Sequence, residues 1–206
     1  MRSTDAVLER ATRFFMKTSD VHTTLRDLAD RLRDAGIDYA VIGGMALNLH
    51  GFERMTKDVD LLMTPEGLAR FRDEIVGLGY APAFQGARKR FKSTRTGIAV
   101  DIIASGEYPG DARSKPVVFP DPKTASEEVD GIRVISLPHL IQLKLASGLS
   151  APHRLKHLGD VQSLIGALHL TRDLALRLDP SVRDEYVRLW DAIDVAEREH
   201  PGPGQE

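Results

Sequence analysis

"VIGGMALNLHGFERMTKDVDLLM", Val41 to Met63, joins an apolar run to a glycine pair and then sets two carboxylates, Asp58 and Asp60, inside a second apolar run. A buried strand of this kind normally carries Val, Leu and Ile, and an unpaired charge there is costly. If "DVDLLM" is a strand, its side chains alternate faces. Asp58 and Asp60 then point the same way, ~6.6 Å apart along the chain, with Val59 and Leu61 on the other side. Two carboxylates on one face repel and resist desolvation unless a cation joins them. Hard, oxygen-seeking ions such as Mg²⁺ are held by one or two carboxylates together with substrate phosphates. Taken alone, D-x-D is better read as an edge strand with two solvated aspartates.

Gly43 and Gly44 stand where the strand "YAVI" gives way to the short helix "MALNL". Free backbone N–H groups and the positive end of a helix make such a junction an anion site. A glycine pair by itself is more often a tight turn. Followed by a returning strand with D-x-D, it places a phosphate cradle beside a carboxylate pair. Asp101 in "AVDIIAS" is a third charge interrupting an apolar run. Should its strand lie next to "DVDLLM", Asp58, Asp60 and Asp101 converge on one or two metal ions.

Upstream, Val21, Leu25, Leu28 and Leu32 recur at helical spacing in a helix that ends near Gly36. Downstream, Pro65 opens the helix "PEGLARFRDEIVGLG", and "RKRFKSTRTG" and "IAVDIIAS" read as two strands with a turn at Thr96 and Gly97. The expected order is helix, strand, helix, strand, helix, strand, strand. Residues 105–130, rich in Pro, Gly and charge, are a candidate substrate loop or lid, or else a plain surface excursion. "GIRVISL" is a last strand, and three helical segments follow. The expected fold is therefore α+β, a small mixed sheet flanked by helices with a C-terminal helical lobe. The expected division is an N-terminal extension at 1–20, a core at 21–136, a helical lobe at 137–199 and a disordered tail at 200–206.

The chain has 206 residues, 42% hydrophobic and 28% charged, which is enough for one sizeable core with a helical addition. Its net charge of -2 excludes global basicity, so any polyanion must be met by a local patch. Arg88, Lys89, Arg90, Lys92 and Arg95 form such a run, which is equally one strand's solvated face. Without cysteine there is neither disulfide nor thiolate zinc. Charges early in the N-terminus and the lack of a long apolar run point to a cytoplasmic chain with no membrane partner.

The combined pattern resembles the nucleotidyltransferases of the DNA polymerase β superfamily: G-G, about a dozen residues, D-x-D, then a later carboxylate. With G-G-x-A-L at Gly43 to Leu47 and R-x-T-x-D-x-D at Arg54 to Asp60, it is similar in particular to the AbiEii-type enzymes of bacterial abortive-infection and toxin-antitoxin systems. The resemblance covers roughly residues 22–170. It implies an enzyme that moves a nucleoside monophosphate from an NTP to a hydroxyl, with Mg²⁺ as cofactor, two ions in the usual scheme. Asp58 and Asp60 would hold the ions, and Asp101 would help activate the hydroxyl. Gly43 and Gly44 would cradle phosphates, and Arg54, with Lys57 as the weaker candidate, would neutralise them. Lys144 matches a family lysine near the nucleotide. The family's K-D-x-x-D appears as "KHLGD", so the resemblance implies Lys156 and Asp160 as further nucleotide-binding residues, while His157 replaces an aspartate. His153 and His157 lack the glutamate of a zinc helix, and His50 reads as a packing residue.

The acceptor stays open. The resemblance implies the 3' end of tRNA, with a toxin role and a cognate antitoxin protein as partner. An aminoglycoside hydroxyl or a protein side chain would use the same core. A non-catalytic nucleotide-binding interaction module is the contrasting reading, against which the retained carboxylates argue.

Overall fold

The computed structural model describes residues 20–111 and 113–199; the expected N-terminal extension and tail lie outside the described residues, save residue 20. Two compact units divide the described chain, one comprising residues up to 49, 53–105 and 121–135, the other 50–52, 106–120 and 136 onward.

The first unit is a seven-stranded mixed sheet with helices. A helix over residues 20–34 (α1) buries Val21, Leu25, Leu28 and Leu32, the stripe its spacing announces, and ends in a turn where Gly36 takes a φ of 62°. Strand β1 (Tyr39–Ile42) is wholly buried and passes without a loop into helix α2 (Gly43–Leu49). The reversal is made at Gly43, whose φ of 67° suits glycine. Strand β2 (Asp58–Met63) follows, then helix α3 (Pro65–Glu74), capped by the Thr64 hydroxyl accepting from the Gly67 N–H. Helix α3 stops at Glu74 rather than running on through "IVGLG", because Gly77 and Gly79 take φ values of 94° and 99°.

Strands β3 (Tyr80–Pro82), β4 (Arg90–Ser93) and β5 (Ala99–Ala104) complete one side of the sheet. The periodicity does not announce β3. It is three residues long and ends in proline, which a sheet tolerates at its edge, where β3 lies. Helix α4 (Pro122–Ala125), strand β6 (Ser126–Val129) and strand β7 (Ile132–Ile135) form the other side. The expected loop at 105–130 is thus shorter, since its last part is a helical turn and an edge strand. Asp130 and Gly131, with φ values of 50° and 77°, make the tight hairpin turn between β6 and β7.

The strand order is β3-β4-β5-β2-β1-β7-β6. β2 runs parallel to β5 and antiparallel to β1, so the D-x-D strand is central and flanked on both sides. Behind it, Val59, Leu61, Val100 and Ile102 are buried, and the Phe71 ring packs against Tyr80 and Phe91 with ring centres 6.3 and 4.9 Å away. The fold is the mixed sheet with helices that the alternation of elements foretells.

The second unit is helical: α5 (Leu137–Leu149), α6 (Leu155–Ala167) and α7 (Pro180–Glu199) pack on one another through Leu140, Ile141, Leu145, Val161, Leu164 and Tyr186. Trp190 donates its indole N–H to the Leu170 carbonyl at 2.7 Å, which ties α7 to the turn after α6. Among the described residues, no helix is long and apolar enough to cross a membrane.

Candidate functional site

Sheet register assembles the carboxylates. Asp60 stands opposite Asp101 on β5, and Asp58 stands opposite Ala99. On both strands the aspartates alternate with fully buried neighbours, Val59 and Leu61 on β2, Val100 on β5. Asp58, Asp60 and Asp101 are all half-buried on one face, and one oxygen from each lies within 4.8 Å of the others. Three carboxylates this close in partial burial suit a hard divalent cation.

The loop between α2 and β2 is clamped by a side chain that sequence reasoning passed over. The Asn48 amide donates to the Arg54 carbonyl at 2.8 Å and accepts the Arg54 N–H at 2.6 Å, which fixes where the chain enters β2. Thr56, buried, donates its hydroxyl to the Asp58 carboxylate at 3.0 Å and to the Asp58 carbonyl at 3.2 Å as alternative acceptors. Thr56 lies within the R-x-T-x-D-x-D pattern, so its signal was present; its role as an anchor for Asp58 needed the structure.

The glycine pair meets the same residues. A Cβ on Gly43 would collide with the Asp60 carboxylate, and one on Gly44 would come within 2.9 Å of the Thr56 side chain. The two glycines are therefore the steric complement of Thr56 and Asp60, and both ends of the quoted stretch fit as one unit. Arg54 is half-buried beside the clamp, and Lys57 is exposed.

Arg90 is the second residue whose contact reading along the chain does not give. It stands opposite Asp101 in register, donating Nε–H to one carboxylate oxygen at 2.8 Å and Nη2–H to the other at 2.7 Å. Its hydrogen bonds with Asp101, and the negative charge of Asp101 and more weakly of Asp58 and Asp60, hold the guanidinium pKa above its ordinary value. Arg88, Lys89, Lys92 and Arg95 of the same run are exposed, as is Arg90 itself.

The other sequence-marked residues belong to the helical unit. Lys144 on α5 and Asp160 on α6 are buried and bonded to each other, Nζ to Oδ2, at 2.7 Å. Lys156 is exposed on α6. His153 sits in the 3₁₀ turn before α6 and His157 in α6 itself, so the two do not share one regular helix. His50 is half-buried in the turn after α2.

Comparison with known proteins gives fold likeness at low identity. The solution structure of the antibiotic-resistance factor ANT(2'')-Ia superposes with a TM-score of 0.51 at 14% identity, covering 89% of this chain and 97% of that one. The crystal structure of the same protein in complex with adenylyl-2''-tobramycin gives a TM-score of 0.50 at 14% identity, over 87% and 98%. An antigenic nucleotidyltransferase-like protein from Paracoccidioides brasiliensis gives 0.48 at 16% identity, over 89% of each chain. No protein-family model and no curated protein matches the sequence.

Proposed function

We propose that the chain is a divalent-metal-dependent nucleotidyltransferase, moving a nucleoside monophosphate from an NTP to a hydroxyl acceptor with release of pyrophosphate. The observation that carries the reading is the convergence of Asp58, Asp60 and Asp101, within 4.8 Å, on adjacent parallel strands. The donor set is all carboxylate oxygen, which fits Mg²⁺ and would not select zinc or copper. Asp58, Asp60 and Asp101 would hold the ion or ions. Mg²⁺, when bound, neutralises triphosphate charge and makes a hydroxyl easier to deprotonate.

The chain's own residues do the rest. Thr56 fixes the rotamer of Asp58. Gly43, by having no side chain, leaves room for the Asp60 carboxylate. Backbone N–H groups at Gly43 and Gly44 face the phosphates, and Arg54, held by Asn48, adds a charge donor, with Lys57 contributing less. A carboxylate oxygen of Asp101 takes the proton of the attacking hydroxyl. Lys156, exposed on α6, is kept as a nucleotide-binding candidate from the resemblance, and the Lys144–Asp160 pair joins α5 to α6.

For the acceptor, the AbiEii-like pattern and the exposed basic residues around β4 favour the 3' end of tRNA, with toxin activity and a cognate antitoxin. The second reading is an aminoglycoside hydroxyl, favoured by the fold likeness to ANT(2'')-Ia, whose crystal structure holds an adenylylated tobramycin. Incubating the protein with each labelled NTP, Mg²⁺ and either total RNA or tobramycin decides between them. Label on tRNA 3' ends, absent with Asp60→Asn, supports the first; label on tobramycin alone supports the second. No transfer to any acceptor, with no Mg²⁺-dependent NTP binding, would sink the enzyme reading.

A further inference from the structure

Arg90 grips both oxygens of the third carboxylate from the neighbouring strand, at 2.8 and 2.7 Å. Its side chain is 60% exposed while that of Asp101 is 23% exposed, so the guanidinium closes over the solvent side of the carboxylate. Each Asp101 oxygen spends one lone pair on this fork. A divalent ion arriving at the same oxygens meets a like charge a few ångströms away. An exposed ion pair is weak, and a multidentate divalent site can displace it.

We infer that Arg90 is the resident counter-cation of the carboxylate centre: it holds Asp101 when no divalent ion is there and is displaced from it when one binds. This rests on the metal-site reading above. It makes ion loading and release of Arg90 one coupled event, so that Arg90 lowers the centre's affinity for free metal while keeping Asp101 in its rotamer. A purely structural cross-strand pair would orient Asp101 and help metal binding, giving an effect of opposite sign.

The test is a titration of the full chain with Mn²⁺ alone, without nucleotide, followed by electron paramagnetic resonance. Arg90→Gln should bind Mn²⁺ about 2- to 5-fold more tightly than the wild type, the upper part of the range for removing one exposed ion pair. Arg90→Lys, which keeps the charge but loses the fork, should give a smaller gain, and it serves if the Gln variant does not fold. Lys92→Gln removes a charge from the same face of β4 and should change the affinity by less than about twofold. In an Asp101→Asn background, Arg90→Gln should give no gain, since there is no pair left to release.

Unchanged or weaker Mn²⁺ binding by Arg90→Gln overturns the inference, as does an equal gain from Lys92→Gln or a gain that survives Asp101→Asn. If the wild type binds no Mn²⁺ in a manner that depends on Asp58 and Asp60, the metal-site reading falls and takes this one with it.

Discussion

Two places in the molecule put charge on otherwise apolar elements, and they resolve the cost differently. On β2 and β5, three carboxylates share one half-buried face within 4.8 Å, with Arg90 on the solvent side of one of them. Between α5 and α6, one lysine and one aspartate are nearly sealed from solvent, their side chains 9% and 7% exposed, and close a 2.7 Å bond on each other. The first arrangement concentrates like charge where ions can reach it. The second cancels charge where nothing from solution can. Like charge kept accessible is what a cation site would need, whereas opposite charge kept dry is balanced without a ligand.

The largest way to break this contrast is to remove a carboxylate from the sheet. Asp60→Asn should reduce nucleotidyl transfer on the order of a thousandfold or more while leaving the melting temperature equal or higher, because repulsion is relieved. Asp101→Asn should behave likewise in transfer. Near-normal turnover in either variant, with a normal Mg²⁺ requirement, would show that the face is only solvated.

The helical pair should respond the other way, in stability. Lys144→Met leaves Asp160 buried without its bonded cation and should cost about 3–5 kcal/mol in chemical denaturation. Adding Asp160→Leu should recover most of that loss, because a matched apolar pair carries no desolvation penalty. A single variant within about 0.5 kcal/mol of wild type would mean that the pair opens to water, and the contrast with the sheet would collapse.

Much of the sheet side was legible beforehand. The alternation of "DVDLLM" and "AVDIIA" fixed which face the aspartates share, and the strands proved to be neighbours in parallel register. The role of Arg90 was not legible, because it depends on which residue of β4 faces Asp101; along the chain it looked like part of a basic run. Lys144 and Asp160 were each singled out for the nucleotide from the resemblance, and their mutual bond depends on the register of two packed helices, which periodicity does not give. The hairpin at Asp130 and Gly131 was signalled by its Asp-Gly dipeptide, but the charge and proline around it hid the strand.

A smaller effect sharpens the sheet side. Gly43→Ala forces a side chain onto a positive φ and into the Asp60 carboxylate, and should cost on the order of 1–3 kcal/mol of stability. Transfer should fall well beyond the stability loss, since Asp60 is the group displaced. Gly36→Ala, at a similar φ with nothing near its would-be Cβ, is the control: it should lower stability and spare transfer.

The smallest effect belongs to the helical unit and is one of pH. His139, in the first turn of α5, has its Nδ1 2.8 Å from the Ser136 hydroxyl. Burial, with the charge of Arg177 behind it, pushes its pKa below the ordinary histidine value. The unfolded chain therefore takes up the proton first as pH falls. The stability this histidine contributes is complete above the unfolded value of about 6.5 and is lost progressively as pH drops toward and through the folded value. The ring is only half-buried, so the melting temperature should fall by about a degree or two between pH 7 and pH 5 on its account. His139→Gln keeps a polar partner for Ser136 without titrating, and should flatten that part of the curve while leaving stability at pH 8 nearly unchanged. A decline of the same size in the Gln variant would trace the pH dependence elsewhere and would reopen the question of how dry the helical unit is.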